Sequence, residues 1–314
     1  MIRTLLLFLL PLFLFAEKPM LTRMQMLMGT YATITLPKNS NQEISKTFEL
    51  IGEIEHSLST YNHTAMLYQL NVTHKVPYDS YLAEALRLSK HYYKDTDGYF
   101  DVTIGSISKN LYHFGEEKPL SPDKKALKNA PLNINSIHIG QAFITTDKNI
   151  TLDLGGIGKG YAVDKAAAYL SERNITGGIM ALSGDIRCIG TCEIYLQSPF
   201  TEETFAKVTS KVPDLSVSTS GTYRRYATKK SEHHLIDPKT ASQGKAFVSV
   251  SLFTRANNSR IDAYATAVSV MPKAKALQFL KEHNEIGYVL VEPDGNIIDG
   301  NLEGLIRLKY NKPA

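Results

Sequence analysis

The stretch Asp153-Leu-Gly-Gly-Ile-Gly-Lys-Gly-Tyr-Ala-Val-Asp164 decides how this chain can fold. The run before it, Asn149-Ile-Thr-Leu-Asp153, alternates polar and apolar residues, which predicts a strand. The residues after it place one apolar stripe at helical spacing, formed by Ala162, Val163, Ala166, Ala167 and Leu170. The sequence therefore predicts a strand, a glycine turn and a helix.

Four glycines, Gly155, Gly156, Gly158 and Gly160, stand at the predicted start of this helix. Glycines allow sharp turns and let a ligand approach the backbone, and free N–H groups at a helix start favour anions. A phosphate or pyrophosphate is therefore the expected ligand, although a glycine-rich connection without any ligand has the same pattern. Neither common nucleotide fingerprint fits, because Gly160 replaces the Ser or Thr of a Walker loop and no acidic residue follows at the Rossmann spacing.

The first residues have the pattern of a secretory signal peptide. A basic start over residues 1–3 is followed by an apolar run over residues 5–15, which is short for a bilayer span. We predict a signal peptide over residues 1–16, with cleavage after Ala16 and export to the periplasm. Leu14 is larger than the residue usually found there, so retention as an anchor attached to the inner membrane stays open.

The two cysteines, Cys188 and Cys192, are the only ones in the chain and lie close together. In an exported protein this spacing favours a local disulfide. A zinc site is the poorer interpretation, because no histidines lie nearby to complete the metal's ligands.

The composition is that of an ordinary soluble globular protein, with 314 residues of which 43% are hydrophobic and 21% charged. The net charge of +4 comes from scattered Lys and Arg residues, which argues against a nucleic-acid partner. We find no repeat, low-complexity block or linker, so residues 17–314 are expected to form a single domain.

Strands and helices are mixed along this domain. Alternating or apolar runs predict strands over residues 28–36, 177–186 and 246–254, a turn and strand over 98–105, and a terminal hairpin over 287–299. Helical spacing predicts helices over residues 42–58, 78–95 and 260–271. Residues 115–130 are rich in Glu, Lys and Pro and are expected to form an exposed excursion.

Asp262 and Thr266 lie four residues apart on the last predicted helix, so their oxygens face the same way. Together with a carbonyl from a glycine turn they form a donor set for one hard cation, and magnesium suits that set. An Asp near a helix start is more often a cap or a favourable N-terminal charge, so the pair alone does not decide the matter.

A second group of polar residues follows residue 218. The segment Thr219-Ser-Gly221 is predicted as a hydroxyl-rich turn, Arg224 and Arg225 offer forked donors to phosphate, and His234 is the obvious titratable side chain of the next predicted strand. Each has a structural alternative, since arginine pairs are usually solvated and single histidines are usually hydrogen-bonded supports. Ser220 does not have the flanking glycines of a hydrolase nucleophile.

Taken in order, these segments resemble the FAD:protein FMN transferase (ApbE) family. The match covers most of residues 26 to 272, and the motifs that carry it are, in order, Met28-Gly-Thr, Ser59-Thr-Tyr61, Gly98-Tyr-Phe-Asp-Val-Thr, the Asp153 to Asp164 stretch, Ser183-Gly-Asp, Thr219-Ser-Gly-Thr-Tyr-Arg, His234-Leu-Ile-Asp-Pro and Asp262-Ala-Tyr-Ala-Thr266. Two departures are small-for-small: Ser183 replaces the family's usual Gly, and Gly158 replaces its common Ala. The family fold is an α+β core related to tunnelling-fold (T-fold) proteins, which fits the mixed element order.

The resemblance implies a magnesium-dependent enzyme that splits FAD and attaches the FMN half through a phosphoester to a Thr or Ser of an exported acceptor protein, releasing AMP. It implies FAD contacts from Met28, Tyr61, Tyr99, Phe100, Asp101, Asp153, Lys159 and Ile236. It also implies that Mg2+ is held by Asp262, Thr266 and the carbonyl of Gly156, and that His234 takes the proton of the acceptor hydroxyl. Tyr61, Tyr99 and Phe100 are candidate walls for the flavin ring in a chain without Trp.

Two other functions keep parts of this site. Water in place of the acceptor hydroxyl would give a magnesium-dependent FAD pyrophosphatase that yields FMN and AMP. A non-catalytic exported flavin-binding protein would keep the FAD contacts but would need neither His234 nor the metal ligands, so their presence counts against it.

Overall fold

A computed structural model describes residues 19–311, and the predicted signal peptide at residues 1–16 lies outside this range. No helix within residues 19–311 is long and apolar enough to cross a membrane. The strands are β1 (Met20–Leu27), β2 (Thr30–Pro37), β3 (Lys75–Pro77), β4 (His138–Ile139), β5 (Phe143–Thr145), β6 (Gly178–Leu182), β7 (Asp185–Ile189), β8 (Glu193–Gln197), β9 (Thr204–Ser210), β10 (Leu215–Gly221), β11 (Ile236–Asp237), β12 (Ser242–Gln243), β13 (Ser249–Arg255), β14 (Gly287–Val291), β15 (Ile297–Gly300) and β16 (Ile306–Tyr310).

The helices are α1 (Asn41–Leu58), α2 (Met66–Thr73), α3 (Ser80–Asp95), α4 (Gly105–Ser108), α5 (Lys124–Lys128), α6 (Gly158–Glu172), α7 (Asn258–Val270) and α8 (Lys273–Glu282). Short 3-10 turns occupy Lys38–Ser40, Val102–Ile104 and Ile134–Ser136. The helices predicted over residues 42–58, 78–95 and 260–271 are therefore confirmed within a few residues, and so is the terminal hairpin, as β14 and β15.

The fold is built on one antiparallel sheet of eight strands in the order β1-β2-β6-β7-β10-β13-β14-β15. Side chains alternate between the two faces of a strand, so β13 sends Leu252 into the main core, which includes buried residues of α1, α6 and α7, and Phe253 into a second core. That second core joins the sheet to a smaller sheet, β16-β9-β8. The molecule therefore has helices on one side of the large sheet and a second sheet on the other, an α+β arrangement.

Residues 149–153 do not form the strand that their alternation predicted. The side chain of Asn71 accepts from the Leu152 N–H at 2.8 Å and donates to the Leu152 carbonyl at 3.0 Å, and the Asp153 N–H donates to the Val102 carbonyl at 2.8 Å. The Asn71 side chain and the first residue of a 3-10 turn thus satisfy backbone groups that a neighbouring strand would otherwise pair.

The strand predicted within residues 98–105 is also wrong. The carboxylate of Asp101 accepts from the Thr103 N–H at 2.8 Å and caps a 3-10 turn that leads into α4. This local hydrogen bond favours a turn over an extended chain. The structure also contains β1 and α2, which the sequence patterns did not indicate.

A disulfide joins Cys188, in strand β7, to Cys192, in the connection from β7 to β8, and their Cα atoms are 5.6 Å apart. Cys188 is fully buried in the core between the two sheets. The predicted local disulfide between Cys188 and Cys192 is therefore confirmed.

Candidate functional site

One cleft of about 760 Å³ contains every residue that the sequence singled out for FAD, metal or proton transfer. The twelve residues come from separate parts of the chain: Met28, Tyr61, Tyr99, Phe100, Asp101, Asp153, Gly156, Lys159, His234, Ile236, Asp262 and Thr266. A cleft of this volume has the size of a small-molecule site.

The glycines at the start of α6 allow close approach rather than a left-handed turn, since none of the four has a positive φ. A Cβ atom on Gly160 would lie 2.8 Å from the Cβ of Asp262, and one on Gly156 would lie 2.8 Å from the Thr266 hydroxyl oxygen. Side chains at these two positions would therefore push α7 away from the start of α6. Residues 155–157 do form the predicted turn, in which the Ile157 and Gly158 N–H groups donate to the Leu154 carbonyl at 3.1 and 2.8 Å.

Asp262 lies at the centre of a buried acidic cluster and is only 3% exposed. Its carboxylate accepts from the Gly160 N–H at 3.0 Å and lies 3.9 Å from the Lys159 ammonium. That ammonium is 3.1 Å from a second buried carboxylate, Asp185. Two acids therefore share one base, and the cluster has a surplus negative charge whenever Asp262 is ionised.

The pKa values of the cluster follow from this arrangement. Burial and the charge of Asp185 raise the pKa of Asp262 to about 7, although Lys159 acts in the opposite direction. Burial lowers the pKa of Lys159, but the two carboxylates outweigh it and hold that pKa above its ordinary value. Lys159 is therefore charged at neutral pH, and a second cation near Asp262 would stabilise its ionised carboxylate.

The donors around Asp262 fit a hard cation. They are oxygens of a carboxylate, of the Thr266 hydroxyl and of the backbone beside it at Gly156, and such donors suit magnesium better than soft metals. Within residues 19–311 no cluster of three or more His, Cys, Asp or Glu side chains forms a metal site. A cation here would therefore use few protein ligands, as magnesium does when substrate oxygens complete its shell.

His234 lines the cleft next to β11, in a bend rather than in the predicted strand. Its Nδ1 lies 3.1 Å from the carbonyl oxygen of Arg225. Because a carbonyl only accepts, Nδ1 carries the hydrogen and Nε2 keeps the lone pair of the neutral ring. Burial first, and the charge of Arg225 second, lower the pKa of His234 to about 4, so the ring is neutral at physiological pH.

Asp153 connects the glycine stretch to the basic side chain of Lys109. Its carboxylate accepts from the Gly155 N–H at 3.0 Å and from the Ser108 hydroxyl at 2.7 Å, and the Lys109 ammonium lies 3.7 Å away. Burial alone would raise the pKa of Asp153, but Lys109 and Ser108 hold it below its ordinary value. Asp153 is therefore ionised, and its oxygens are well supplied with neutral donors.

Tyr61 stands at the entrance of the cleft and is 49% exposed. Its hydroxyl donates to the Phe114 carbonyl at 3.2 Å and accepts from the Lys109 ammonium at 2.6 Å and from the Arg225 guanidinium. The same ammonium lies 4.1 Å from the centre of the Tyr61 ring. Two cations thus converge on one phenol oxygen.

The remaining predicted contacts form the cleft walls. Met28 adopts a positive φ in the two-residue turn between β1 and β2, where Gly29 does the same, a pattern typical of type I′ hairpin turns. Tyr99 is partly exposed, with the Lys239 ammonium 4.6 Å from its ring centre. Phe100 and Ile236 are 3% and 5% exposed and belong mainly to core clusters, so each presents little surface to a ligand.

One prediction around residue 220 needs correction, whereas both arginines predicted as phosphate donors line the cleft. Thr219-Ser-Gly221 is the end of strand β10, paired in register with β13, and not a turn. Arg224 hydrogen-bonds the side chain of Gln197 on β8, so only Arg225 of the pair reaches Tyr61.

The sequence patterns gave no role to Lys109, Ser108 or Asp185. Lys109 and Ser108 lie on a short helix and its end, outside any motif, and only the fold brings them to Asp153. Asp185, in contrast, belongs to the Ser183-Gly-Asp motif. The motif could therefore have identified Asp185 as a candidate site residue, although its contact with Lys159 is seen only in the structure.

Comparison with known proteins identifies relatives of this fold. The ApbE family matches residues 28–290. A FAD:protein FMN transferase of Vibrio cholerae is 28% identical over 291 residues, which cover 84% of this chain and 85% of that protein. One of Haemophilus influenzae is 25% identical over 289 residues, covering 84% and 82%.

Solved structures agree on the fold. The ApbE protein of Thermotoga maritima has a TM-score of 0.81 at 22% identity and covers 90% of this chain and 97% of its own. The flavin transferase ApbE of Vibrio cholerae has a TM-score of 0.74 at 22% identity and covers 94% and 97%.

Proposed function

The chain belongs to the ApbE family, and from this premise we propose that it is a FAD:protein FMN transferase. In the proposed reaction it splits FAD, attaches the FMN half through a phosphoester to a Thr or Ser of an acceptor protein, and releases AMP. The observation that carries the proposal is the meeting of twelve residues from separate motifs in one cleft, beside an acidic cluster with a surplus negative charge.

His234 supplies the proton acceptor in this proposal. The acceptor hydroxyl oxygen bonds to the phosphorus of the FMN half, the bond between the two phosphates breaks, the proton passes to Nε2 of His234, and AMP leaves. The neutral ring with its hydrogen on Nδ1 supports this role, because Arg225 then fixes the lone pair on Nε2. A bound pyrophosphate would raise the low pKa of His234 toward the working pH and make it a better base.

Asp262, Thr266 and the Gly156 carbonyl would hold Mg2+. When bound, the ion would supply stabilisation of the charge that grows on the departing phosphate. Lys159 keeps Asp262 and Asp185 together when no ion is present, and Gly160 orients the Asp262 carboxylate. The Asp153 carboxylate and the ring of Tyr61 would position FAD, as would Met28 and Tyr99 at the walls.

We propose that the protein acts outside the cytoplasm, on an exported acceptor. The basic and apolar start of the sequence supports export, either with cleavage after Ala16 or with retention at the inner membrane. The disulfide between Cys188 and Cys192 is also typical of an oxidising compartment.

The test is a transfer assay with purified protein, FAD, Mg2+ and an exported protein bearing a flavinylation-type Ser or Thr. We expect AMP release and an acceptor whose mass rises by FMN less one water, with flavin fluorescence in a denaturing gel. If FAD is cleaved while the acceptor keeps its unmodified mass, the enzyme is a pyrophosphatase. If FAD binds and stays intact with Mg2+ and acceptor present, the protein only binds flavin.

A further inference from the structure

The cleft contains a second charge imbalance, opposite in sign to the acidic cluster. Lys109 and Arg225 both donate to the Tyr61 hydroxyl, while Asp153 is the carboxylate beside them, 3.7 Å from Lys109. The Lys109 side chain is only 12% exposed. Two cations and one carboxylate leave a surplus positive charge in a partly buried place.

Asp153 does not explain both cations. Its oxygens already accept from Gly155 and Ser108 at 3.0 and 2.7 Å, and the Lys109 ammonium lies closer to the Tyr61 oxygen, at 2.6 Å, than to the carboxylate. The phenol and the Phe114 carbonyl, 3.4 Å from the ammonium, offer it only neutral oxygens. The pair is therefore short of negative charge, and a buried cation without a full counter-charge is costly.

We infer that Lys109 and Arg225 form a phosphate subsite, which holds the phosphate that stays with the flavin. This inference rests on the proposed function, because it takes FAD as the ligand. Oxidised FAD is neutral at its ring, its sugar and its base, so its phosphates are the groups that such a pair attracts. In the absence of ligand the Tyr61 oxygen accepts the hydrogen bonds of Lys109 and Arg225, which a phosphate oxygen would accept when FAD binds.

The position of Arg225 connects this subsite to the chemistry. Its carbonyl oxygen accepts from the backbone N–H of His234 at 3.2 Å and from the ring Nδ1 at 3.1 Å, while its guanidinium reaches Tyr61. One residue thus spans from the proton acceptor to the proposed phosphate. A phosphate held by the Arg225 guanidinium is therefore separated from His234 by a single residue, and His234 is the group that the acceptor hydroxyl must reach in the proposed reaction.

The experiment compares ligands that differ by one phosphate. Dissociation constants for FMN and riboflavin are measured by flavin fluorescence, with EDTA and without acceptor, for the wild type, Lys109→Met, Lys109→Arg and Arg225→Met. A charge-assisted hydrogen bond to phosphate is the contact that is lost, so we expect Lys109→Met and Arg225→Met each to weaken FMN binding roughly tenfold. Riboflavin binding should change little, and Lys109→Arg should keep most of the preference for FMN.

Lys165→Met is the matched control. Lys165 also lies near a tyrosine ring, 5.3 Å from Tyr161, and pairs with Glu84 at 2.6 Å, but it does not line the cleft. It should leave both affinities unchanged. Added salt should weaken FMN binding to the wild type more than to Lys109→Met.

Three results would overturn the inference. Equal losses for FMN and riboflavin would show that Lys109 supports the ring of Tyr61 and not a phosphate. Unchanged FMN binding in both methionine variants, with a normal wild type, would remove the subsite but leave the proposed transferase intact. If the folded wild type binds neither FMN nor FAD, the inference and the proposed function fall together.

Discussion

Two buried ion clusters lie along the contact between α6 and α7. They differ in charge balance, and this difference distinguishes a structural cluster from a candidate ligand site. In the first, Asp164 pairs with Arg187 at 2.5 Å and accepts from the N–H groups of Asn258 and Ser259 at 2.7 and 2.8 Å. One carboxylate is paired with one guanidinium, and the N–H groups at the start of α7 supply further hydrogen bonds to the carboxylate. In the second, Asp262 and Asp185 share Lys159, so a negative charge is left over. The balanced cluster stabilises the contact between the helices, whereas the unbalanced cluster favours the binding of a further cation.

Asp164→Asn should break the balanced cluster and produce the largest effect. It leaves the buried guanidinium of Arg187 without its counter-charge, so we expect a loss of about 3 kcal/mol in the free energy of unfolding. Chemical denaturation, with and without Mg2+, measures it. A variant as stable as the wild type would show that Asp164 is not the structural counterpart described above.

Asp262→Asn should break the unbalanced cluster instead. It removes the carboxylate of the proposed metal set, so FMN transfer should fall roughly a hundredfold, or about 2.7 kcal/mol in transition-state free energy. Stability without metal should be kept, because the surplus charge is gone. Transfer rates across a range of Mg2+ concentrations test this: partial recovery at high Mg2+ indicates a ligand, and a near-normal rate with an unchanged midpoint contradicts the assignment.

The pH dependence of transfer should report His234. In the proposed reaction its neutral form accepts the proton, and its pKa is about 4, so kcat/KM should fall about tenfold per pH unit below that value and not change with this group above it. Mg2+ must be saturating, because protons compete with the metal for Asp262. Arg225→Gln removes a nearby cation and should move this acid limb to higher pH. A limb that does not move would mean that another group controls it.

Mg2+ alone should give the smallest effect. At about ten times its dissociation constant, a ligand of the folded state contributes about 1.4 kcal/mol, which corresponds to a rise of roughly 2 °C in Tm for a domain of this size. Asp262→Asn should lose this rise and Asp164→Asn should keep it. Thermal unfolding with Mg2+ or EDTA checks both, and the same rise in all three proteins would place the metal elsewhere.

Features of the fold could be predicted from the sequence where they depend on residues close together in the chain. Helix α1 follows from the spacing of Ile44, Phe48, Ile51 and Leu58, and the Asp262–Thr266 pair follows from one helical turn, so neighbouring residues sufficed. Residues 149–153 have a strand pattern, but a side chain far away in sequence, Asn71, takes the place of the partner strand.

The same reason explains what was missed in the site. The place of Thr219-Ser-Gly221 in a strand depends on its pairing with β13, and the role of Lys109 depends on its meeting Tyr61 and Arg225 in space. The resemblance supplied the residues that belong to motifs, and charges outside motifs became visible only in three dimensions.

The order of the large sheet also has a consequence for folding kinetics. Strand β2 pairs with β6, so that Ala32 faces Leu182, and helices α1 to α6 lie between them in the chain. Closing so long a segment costs entropy before the pairing contributes stability, and contacts of this kind slow folding. The edge of β2 that pairs with β6 therefore stays without its partner until residues 178–182 are available, so the large sheet is completed late in folding.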